Sequence, residues 1–258
     1  MMQLATFAAE VHAILATELS KLRRDPTDIV TRSVQPVLWL LVFGQVLGRS
    51  RAIPTGGTSY LAFMAPGILA QSVLFMAIFY GIAVIWERDL GVLHKILVSP
   101  AHRSALVLGK GLSAGLRGLA QATIVYLLAL AIHVHPRVEP LPLLGVAACV
   151  VLGSALFSTF SLIIACIVKT RERFMGIGQV LTMPLFFASN AIYPLALMPH
   201  WLRVISRGNP LSYLVDALRT FMIGTPSQFG LWLDFAVLAG VLLGLTALAA
   251  RMFPALVR

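Results

Sequence analysis

Six long apolar runs are the feature that most constrains how this chain can fold. They lie at about 29–47, 60–85, 111–132, 141–168, 174–193 and 231–250. A membrane-spanning helix needs about 20 predominantly apolar residues, with a range of about 17 to 25. The composition agrees, because 59% of the 258 residues are hydrophobic and 12% are charged, whereas about a quarter are charged in soluble domains. The sequence therefore predicts an all-α, polytopic membrane protein with six transmembrane helices.

The basic residues lie mainly at the ends of these apolar runs. In a soluble protein, the formal net charge of +10 would suggest a nucleic-acid partner. If both termini are cytoplasmic, 13 of the 20 Lys and Arg residues fall on the inner side and 6 on the outer side, with Arg117 left inside the third run. Cytoplasmic loops carry such an excess of Lys and Arg. We therefore expect a multi-pass protein of the cytoplasmic (inner) membrane, N-in and C-in, with no nucleic-acid partner.

The first 27 residues combine an apolar helical face with charged residues on the other faces. The apolar face comprises Phe7, Val11, Ile14, Leu15, Leu19 and Leu22. This pattern is typical of an interfacial helix that lies along a membrane surface. We expect residues 1–27 to form such an elbow helix, 28–254 the transmembrane domain and 255–258 a short cytoplasmic tail. A soluble helix at the N-terminus is the alternative.

A polar segment, 86–111, separates the second and third apolar runs. Its charged residues Glu87, Arg88 and Asp89 should end a membrane helix at the water interface. A short amphipathic helix should follow, because apolar residues recur at helical spacing, at Leu90, Leu93, Ile96 and Leu97. Pro100 forces Ser99 out of the α region and ends this helix. Lys110 lies where its side chain could snorkel at the start of the next span.

This segment resembles the coupling segment of ABC-2 type transporter permeases, which carries charged residues, a glycine, a Leu-rich helix, a hydroxyl residue with proline, and Gly-Lys. The corresponding residues here are Glu87, Arg88, Asp89, Gly91, Leu93, Ile96, Leu97, Ser99, Pro100, Gly109 and Lys110. Many members have threonine where this chain has Val92 and Ser99. The resemblance implies that segment 87–104 couples the protein to a separate ABC ATPase. Leu93, Ile96 and Leu97 would form the docking face.

The region between the fifth and sixth runs contains a second group of turn and capping signals. Asn209 is suited to cap a helix that has Pro210 at its first position and ends near Ile223, before Gly224. Asp216 and Arg219 make a full span unfavourable here. We therefore expect short helices that dip into the outer leaflet.

This region also resembles the ABC-2 family, whose members carry Tyr-Pro, Met-Pro, and Asn-Pro-Leu followed by an aromatic and a basic residue. The corresponding residues are Tyr193, Pro194, Met198, Pro199, Asn209, Pro210, Leu211, Tyr213 and Arg219. The resemblance implies that short re-entrant helices before the last span form an external gate.

The sequence does not predict chemistry within the chain itself. It lacks the Gly-x-x-x-x-Gly-Lys-Ser/Thr phosphate loop, so a partner subunit should use the ATP and magnesium. We expect no catalytic residue, resident cofactor or metal site: His133 and His135 suit a solvated loop, and Cys149 and Cys166 share one apolar run. Asp216 and Asp234 have no evident acidic or histidine neighbour for a proton relay. Arg117 either lines a path or snorkels.

These observations predict the permease subunit of an ABC exporter. The resemblance implies two partners, an ATPase subunit and a second permease in a homo- or heterodimer, both working in membrane lipid. Few charges along the spans favour a lipophilic or amphipathic substrate, and Pro66-Gly67 resembles the second span of drug and antibiotic exporters. Two alternatives stay open. One is export of a lipo-oligosaccharide, polysaccharide or lipid, and the other is a stand-alone membrane channel or scaffold.

Overall fold

The computed structural model describes residues 27–50, 53–55, 57–90, 103–168 and 170–252, with scattered positions between 12 and 24. Every regular element in this part of the chain is a helix, and none is a strand. The predicted all-α class is therefore confirmed. About two thirds of the predicted interfacial helix at 1–27 falls outside the described residues, and so does most of the coupling segment.

The helices whose bounds are described lie between Thr27 and Met252. In chain order they are α1 (Thr27–Leu38), α2 (Gln45–Ser50), α3 (Tyr60–Asp89), α4 (Arg103–Ala131), α5 (Pro140–Ile167), α6 (Arg171–Phe187), α7 (His200–Gly208), α8 (Pro210–Ile223) and α9 (Leu231–Met252). A π-helical turn, Trp39–Gly44, joins α1 to α2 without a break in the helical segment. Side-chain caps begin three of the other described helices: the Ser59 hydroxyl accepts from the Ala62 amide, Thr170 from the Arg173 amide, and Asn209 from the Leu211 amide.

Five of these helical segments are long and apolar enough to cross a membrane. They are Val30–Arg49, Tyr60–Asp89, Gly109–Ala131, Pro140–Ile167 and Leu231–Met252. The remaining predicted span, 174–193, is wrong in its extent, because α6 has 17 residues and ends at Phe187. Residues 188–193 instead form turns and bends. The protein is thus a multi-pass membrane protein in which α6 is short for a span.

Helix α3 lies at the centre of the bundle. It has 30 residues, which corresponds to a length of about 45 Å at 1.5 Å per residue. It packs against α1, α4, α5, α6 and α8, and most of its residues from Tyr60 to Ile85 are buried. Its first half contacts the segment that follows α6, and its last turn contacts the first turns of α4 and α6. A displacement of α3 therefore affects both ends of the protein.

Candidate functional site

The C-terminal end of α3 forms a group of charged contacts that we call the α3 C-terminal cluster: Trp86, Glu87, Asp89, Lys110 and Arg171. The Lys110 ammonium donates to the Glu87 carboxylate and thereby joins α3 to α4. Lys110 is only 5% exposed, and its Nζ lies 5.8 Å from the centre of the Tyr80 ring. The prediction that Lys110 snorkels toward water is therefore wrong. Its charge is matched by Glu87 inside the protein.

The second half of the same cluster joins α3 to α6. Arg171 donates to Asp89 Oδ2 at 2.9 Å, while Arg88 donates to the other oxygen, Oδ1, at 3.0 Å. The Arg171 guanidinium also lies 3.7 Å from the centre of the Trp86 ring, a distance typical of a cation–π contact. Glu87, Arg88 and Asp89 were predicted to end the second span, and they lie in the last turn of α3. The structure thus brings Lys110 and Arg171 to the charged end of that helix.

Six of the predicted coupling residues lie outside the described residues: Gly91, Leu93, Ile96, Leu97, Ser99 and Pro100. The structure describes the two helices on either side of them. Helix α3 leads into this segment at Asp89, and α4 leads out of it from Arg103. The contacts of the α3 C-terminal cluster therefore fix both ends of the segment relative to each other.

The opposite end of α3 forms a second group, which we call the α3 N-terminal cluster: Tyr60, Phe63, Asn190, Ile192 and Arg219. Arg219 is 4% exposed and donates through Nη2 to the Asn190 carbonyl at 2.8 Å and to the Phe63 carbonyl at 3.4 Å. Its guanidinium lies 3.9 Å from the centre of the Phe63 ring. Burial lowers the pKa of Arg219 to about 10, and Asp216 opposes that shift. The Tyr60 hydroxyl adds a bond of 3.1 Å to the Ile192 carbonyl.

Steric contact reinforces this cluster at Gly67. A Cβ atom at this position would lie only 2.8 Å from the carbonyl carbon of Ala191, in the bend that follows α6. Real Cβ atoms do not approach backbone so closely, so only glycine lets the bend lie against α3. The α3 N-terminal cluster therefore holds together α3, the 188–193 bend and α8.

The remaining predicted gate residues lie in or just before the short helices α7 and α8. Asn209 caps α8 as predicted: its Oδ1 accepts from the Leu211 amide at 3.0 Å, and its Nδ2 donates to the Leu185 carbonyl at 2.6 Å. Pro210 occupies the first position of α8, and Gly224, with a φ of +76°, follows its last residue.

Both tyrosines of the predicted gate donate to backbone carbonyls. Tyr213 donates to the Arg207 carbonyl at 2.7 Å, and Tyr193 to that of Phe187. Burial raises the pKa of Tyr193, whose neighbour Pro194 precedes the 3-10 turn Leu195–Leu197. The structure thus contains two short helices before the last span, as predicted.

The prediction that Asp216 and Asp234 have no acidic neighbour is wrong. The Ser227 hydroxyl lies 2.8 Å from Asp216 Oδ2 and 3.0 Å from Asp234 Oδ2, so that one side chain bridges the two. Asp216 Oδ2 also accepts from the amides of Gln228 and Phe229, at 2.7 and 3.0 Å. The signal that was missed is the turn sequence of 224–230, which returns the chain toward α8. This arrangement ties the start of α9 to the middle of α8.

Sequence reasoning also missed a polar cavity between α1, α3 and α4. Its volume is about 160 Å³, and Arg32, Gln35, Gln71 and Gln121 are among the residues that line it. The available signal was the presence of isolated glutamines within apolar runs. Arg117 does not line this cavity; its guanidinium lies 5.2 Å from the centre of the Tyr80 ring. Among the described residues, no group of three or more His, Cys, Asp and Glu side chains is placed to hold a metal ion.

Comparison with known proteins gives matches to transporter permeases. A sequence model of the ABC-2 type transporter family matches residues 9–223. The daunorubicin resistance ABC transporter permease protein DrrB1 of Streptomyces coeruleorubidus is 25% identical over 228 residues, which cover 88% of this chain and 80% of that protein. The inner membrane transport permease YadH of Escherichia coli K12 is 26% identical over 205 residues, covering 76% of this chain and 75% of that protein.

Proposed function

Since the chain belongs to the ABC-2 type transporter family, we propose that it is the permease subunit of an ABC exporter and moves a lipophilic or amphipathic, drug-like substrate outward across the cytoplasmic membrane. A separate ABC ATPase supplies the energy. A second permease, identical or related, completes the path. In this orientation the α3 C-terminal cluster faces the cytoplasm, and the α3 N-terminal cluster lies at the external mouth.

The observation that carries the proposal is that one helix joins these two ends. Helix α3 leads into the coupling segment at Asp89 and contacts the 188–193 bend through Gly67 and Tyr60, about 33 and 44 Å away along the helix, while Arg219 joins Phe63 to the same bend. Buried, close-packed helices transmit displacement because their interiors have low compressibility. ATP-driven movement of the ATPases would act on segment 87–104 as a lever. Helix α3 would then carry that movement to the mouth.

The proposed roles of the coupling residues rest on the resemblance of segment 87–104 to the ABC-2 family. Leu93, Ile96 and Leu97 would form the face that docks on the ATPase, Gly91 would belong to the lever helix, and Ser99-Pro100 would end it. Glu87, Arg88, Asp89 and Lys110 hold the root of the lever. At the mouth, Tyr193, Pro194, Asn209, Pro210, Tyr213 and Arg219 form the gate that the lever moves.

The name of one relative supports the substrate class. DrrB1 is named for daunorubicin resistance, and we propose that this chain exports a compound that is amphipathic and harmful to the cell. The few charged residues in the spans favour such a cargo.

Co-purification with the ATPase tests this proposal. A tagged permease is co-expressed with a candidate ATPase, and the wild type is compared with a double variant, Leu93→Asp and Leu97→Asp. The wild type should retain the ATPase and the double variant should lose it, because charges on an apolar docking face must be desolvated without partners. The matched control is Val138→Asp, an exposed position in the loop between α4 and α5, which should retain the ATPase. If neither the wild type nor the control retains any ATPase, the exporter proposal is rejected in favour of a stand-alone channel.

A further inference from the structure

A groove between α6, α7 and the first residues of α8 lies near the N-terminal end of α3. Its volume is about 690 Å³, within the ~300–1,000 Å³ of ligand sites in proteins. Ala188 and Tyr193 of the 188–193 bend line it, and Gly67, which contacts that bend, lies about 10 Å from Tyr60 along α3. A hydrocarbon core of about 30 Å centred on α3 begins about 7–8 Å from the helix end. The groove therefore lies at the depth of lipid chains.

The chemistry of the groove suits a hydrocarbon chain. Its apolar walls include Leu181, Leu185, Phe187, Trp201, Leu202 and Ile205. Two polar side chains of the lining are already bonded to backbone, because Asn209 Nδ2 donates to the Leu185 carbonyl at 2.6 Å and the Tyr193 hydroxyl donates to that of Phe187. A polar ligand would lose its water here and gain few hydrogen bonds in return.

Helix α7 sets the direction in which the groove opens. Trp201, Ile205 and Gly208 share the helical face toward the groove, whereas Arg203 and Arg207 lie on the opposite face. Trp201 and Ile205 are 64% and 51% exposed, so this side of the groove is open. A helix of this kind lies in the plane of the membrane with its charged face toward water, and tryptophan is common at that interface. The groove therefore opens to the lipid chains beneath the head groups.

The charge on the water-facing side of α7 is positive. Residues 173–215 contain no Asp or Glu. Arg203 donates to the carbonyls of Leu195, Ala196 and Met198 at 3.1–3.2 Å. Arg207 is exposed, and no hydrogen bond or ion pair engages its guanidinium among the described residues. Arginine forms its strongest hydrogen bonds with carboxylate and phosphate. An apolar groove beneath an available arginine matches a ligand that joins a hydrocarbon chain to an anionic head group.

A second copy of this chain fits the same face less well. Closed dimers are usually two-fold symmetric, which brings the same patch of each subunit together. Contact through α7 would then place Arg203 and Arg207 of one copy against the same residues of the other, and 173–215 supplies no acidic side chain to separate them. Lipid head groups supply the negative charge that such a contact lacks.

We propose that the groove binds one hydrocarbon chain of an anionic phospholipid that stays with the protein, while the phosphate of that lipid lies near Arg207. The lipid fills the space between α6 and α7 and thereby supports the short helices before the last span. This goes beyond the proposed function, because it requires only that the protein is embedded in a membrane. In the proposed orientation, the lipid belongs to the outer leaflet.

Fluorescence quenching of Trp201 tests the site. The variants Trp39→Phe, Trp86→Phe and Trp232→Phe are combined so that Trp201 alone remains, and the full chain is placed in phosphatidylcholine vesicles. A minor fraction of the lipid carries brominated chains, which quench a tryptophan on contact, under either a phosphatidylglycerol or a phosphatidylcholine head. Brominated phosphatidylglycerol should bind beside Trp201 about fivefold more tightly, the preference expected of one arginine close to an anionic lipid. Equal quenching by the two lipids would overturn the proposal.

The matched control keeps Trp232 alone. This tryptophan is 86% exposed near the start of α9 and does not line the groove, so both brominated lipids should quench it equally. A preference of the same size at Trp201 and Trp232 would reflect the charge of the whole protein and reject a specific site. Quenching of Trp201 by neither lipid would mean that another protein surface, such as a second copy, covers the groove.

Two glycines provide a groove-filling variant and its control. Gly208 lines the groove and Gly176 of α6 does not, and a Cβ atom at either position meets nothing within 4 Å. Gly208→Phe should remove the preference at Trp201, because its ring takes the place of the lipid chain, whereas Gly176→Phe should keep it. Arg207→Gln should reduce the preference, and Arg207→Lys should retain most of it.

Native mass spectrometry gives a second measurement on the protein with all its tryptophans. The wild type and Gly176→Phe should each retain a phosphatidylglycerol molecule that Gly208→Phe loses. If Gly208→Phe keeps both the bound lipid and the preference at Trp201, the lipid does not bind in this groove.

ATP turnover separates a resident lipid from a transported molecule. With the partner ATPase and ATP present, a resident lipid should leave the quenching of Trp201 unchanged. A fall in quenching during turnover would assign the groove to the transport path and overturn the proposal. Because lipid binding is measured on the permease alone, a failure to retain the ATPase would reject the proposed function and leave the binding result standing.

Discussion

The two ends of α3 are held by different kinds of interaction. At the C-terminal end, Arg171 and Asp89 form an ion pair whose side chains are 33% and 38% exposed. At the N-terminal end, Arg219 is buried and bonds to backbone carbonyls, and Gly67 lies against the backbone of Ala191. Exposed ion pairs contribute about 0–1 kcal/mol and are screened by salt. Buried hydrogen bonds and close-packed backbone are more costly to break.

This difference suggests which end moves. At the C-terminal end the buried pair of Lys110 and Glu87 holds α3 to α4, but the contact of α3 with α6 consists of partly exposed charges that can exchange their partners at small cost. The N-terminal end, held by buried carbonyl bonds and steric fit, has one favourable arrangement. We therefore expect α3 to shift relative to α6 at its C-terminal end, near the coupling segment. At the N-terminal end, α3, the 188–193 bend and α8 should move as one body. Of the three predictions below, the largest and the smallest test this contrast, and the second concerns the junction of α8 with α9.

The largest loss in the free energy of unfolding is expected from a substitution at Gly67, where α3 meets the bend after α6. Gly67→Ala places a methyl group against the backbone of Ala191, which cannot move aside as a flexible side chain would. We expect a loss of about 3 kcal/mol in the free energy of unfolding, within the range for overpacked cores. Thermal unfolding of the purified permease in detergent measures this loss.

The matched control for Gly67 is Gly176→Ala in α6. A Cβ atom at this position meets nothing within 4 Å, and alanine is the better helix former by about 1 kcal/mol. We expect the control to unfold at or above the wild-type temperature. If Gly67→Ala unfolds at the same temperature as this control, the N-terminal end of α3 is not held by steric fit.

An intermediate loss in the free energy of unfolding is expected from substitutions where α8 meets α9. Ser227 has one hydroxyl proton, so its contacts with Asp216 and Asp234 coexist only if one carboxyl group is protonated. Asp216 Oδ2 accepts from two amides as well, and this favours the anion there. Asp234 Oδ1 is buried and has no partner in the described protein, and this favours the acid.

The two asparagine variants should therefore differ. Asp216→Asn replaces a carboxylate that accepts three hydrogen bonds with a weaker acceptor, and we expect a loss of about 1–3 kcal/mol. Asp234→Asn resembles the protonated acid and should change stability by less than 1 kcal/mol. Chemical denaturation of both variants gives the comparison. A larger loss in Asp234→Asn than in Asp216→Asn would reverse the assignment of the proton.

The sequence predicts best the features that depend on local pattern. Long apolar runs predict the helices, because a run of about 20 apolar residues, or a hydrophobic period of about 3.6 residues, is enough to identify a helix from sequence. The cap at Asn209 with Pro210 and Gly224 was also predictable, because capping depends on a few adjacent residues. The extent of α6 was not, because the predominantly apolar run at 174–193 continues past Phe187, where the chain leaves the helix and residues 188–193 form turns and bends.

Features that depend on long-range contacts were predicted poorly. Lys110 and Glu87 are 23 residues apart, and Arg171 is 82 residues from Asp89. No local pattern indicates that these charges meet. The same applies to Ser227 between two aspartates, and to the glutamines that α1, α3 and α4 bring to one cavity. Charged and polar residues in apolar runs signal that partners exist, but only the packing of the helices identifies them.

The smallest loss in the free energy of unfolding is expected from a substitution at Arg171 of α6, which contacts the C-terminal end of α3. Arg171→Gln removes the ion pair with Asp89 and the contact with Trp86, and we expect a loss of about 0.5–1 kcal/mol because both partners are partly exposed. The control is Arg173→Gln, an exposed arginine in the same turn of α6, which should change little. The loss at Arg171 should shrink as salt is raised, since salt screens exposed charges, whereas the loss in Gly67→Ala should not. If the effect of Arg171→Gln equals that of Gly67→Ala and does not depend on salt, both ends of α3 are equally rigid and the expected shift at the coupling end is wrong.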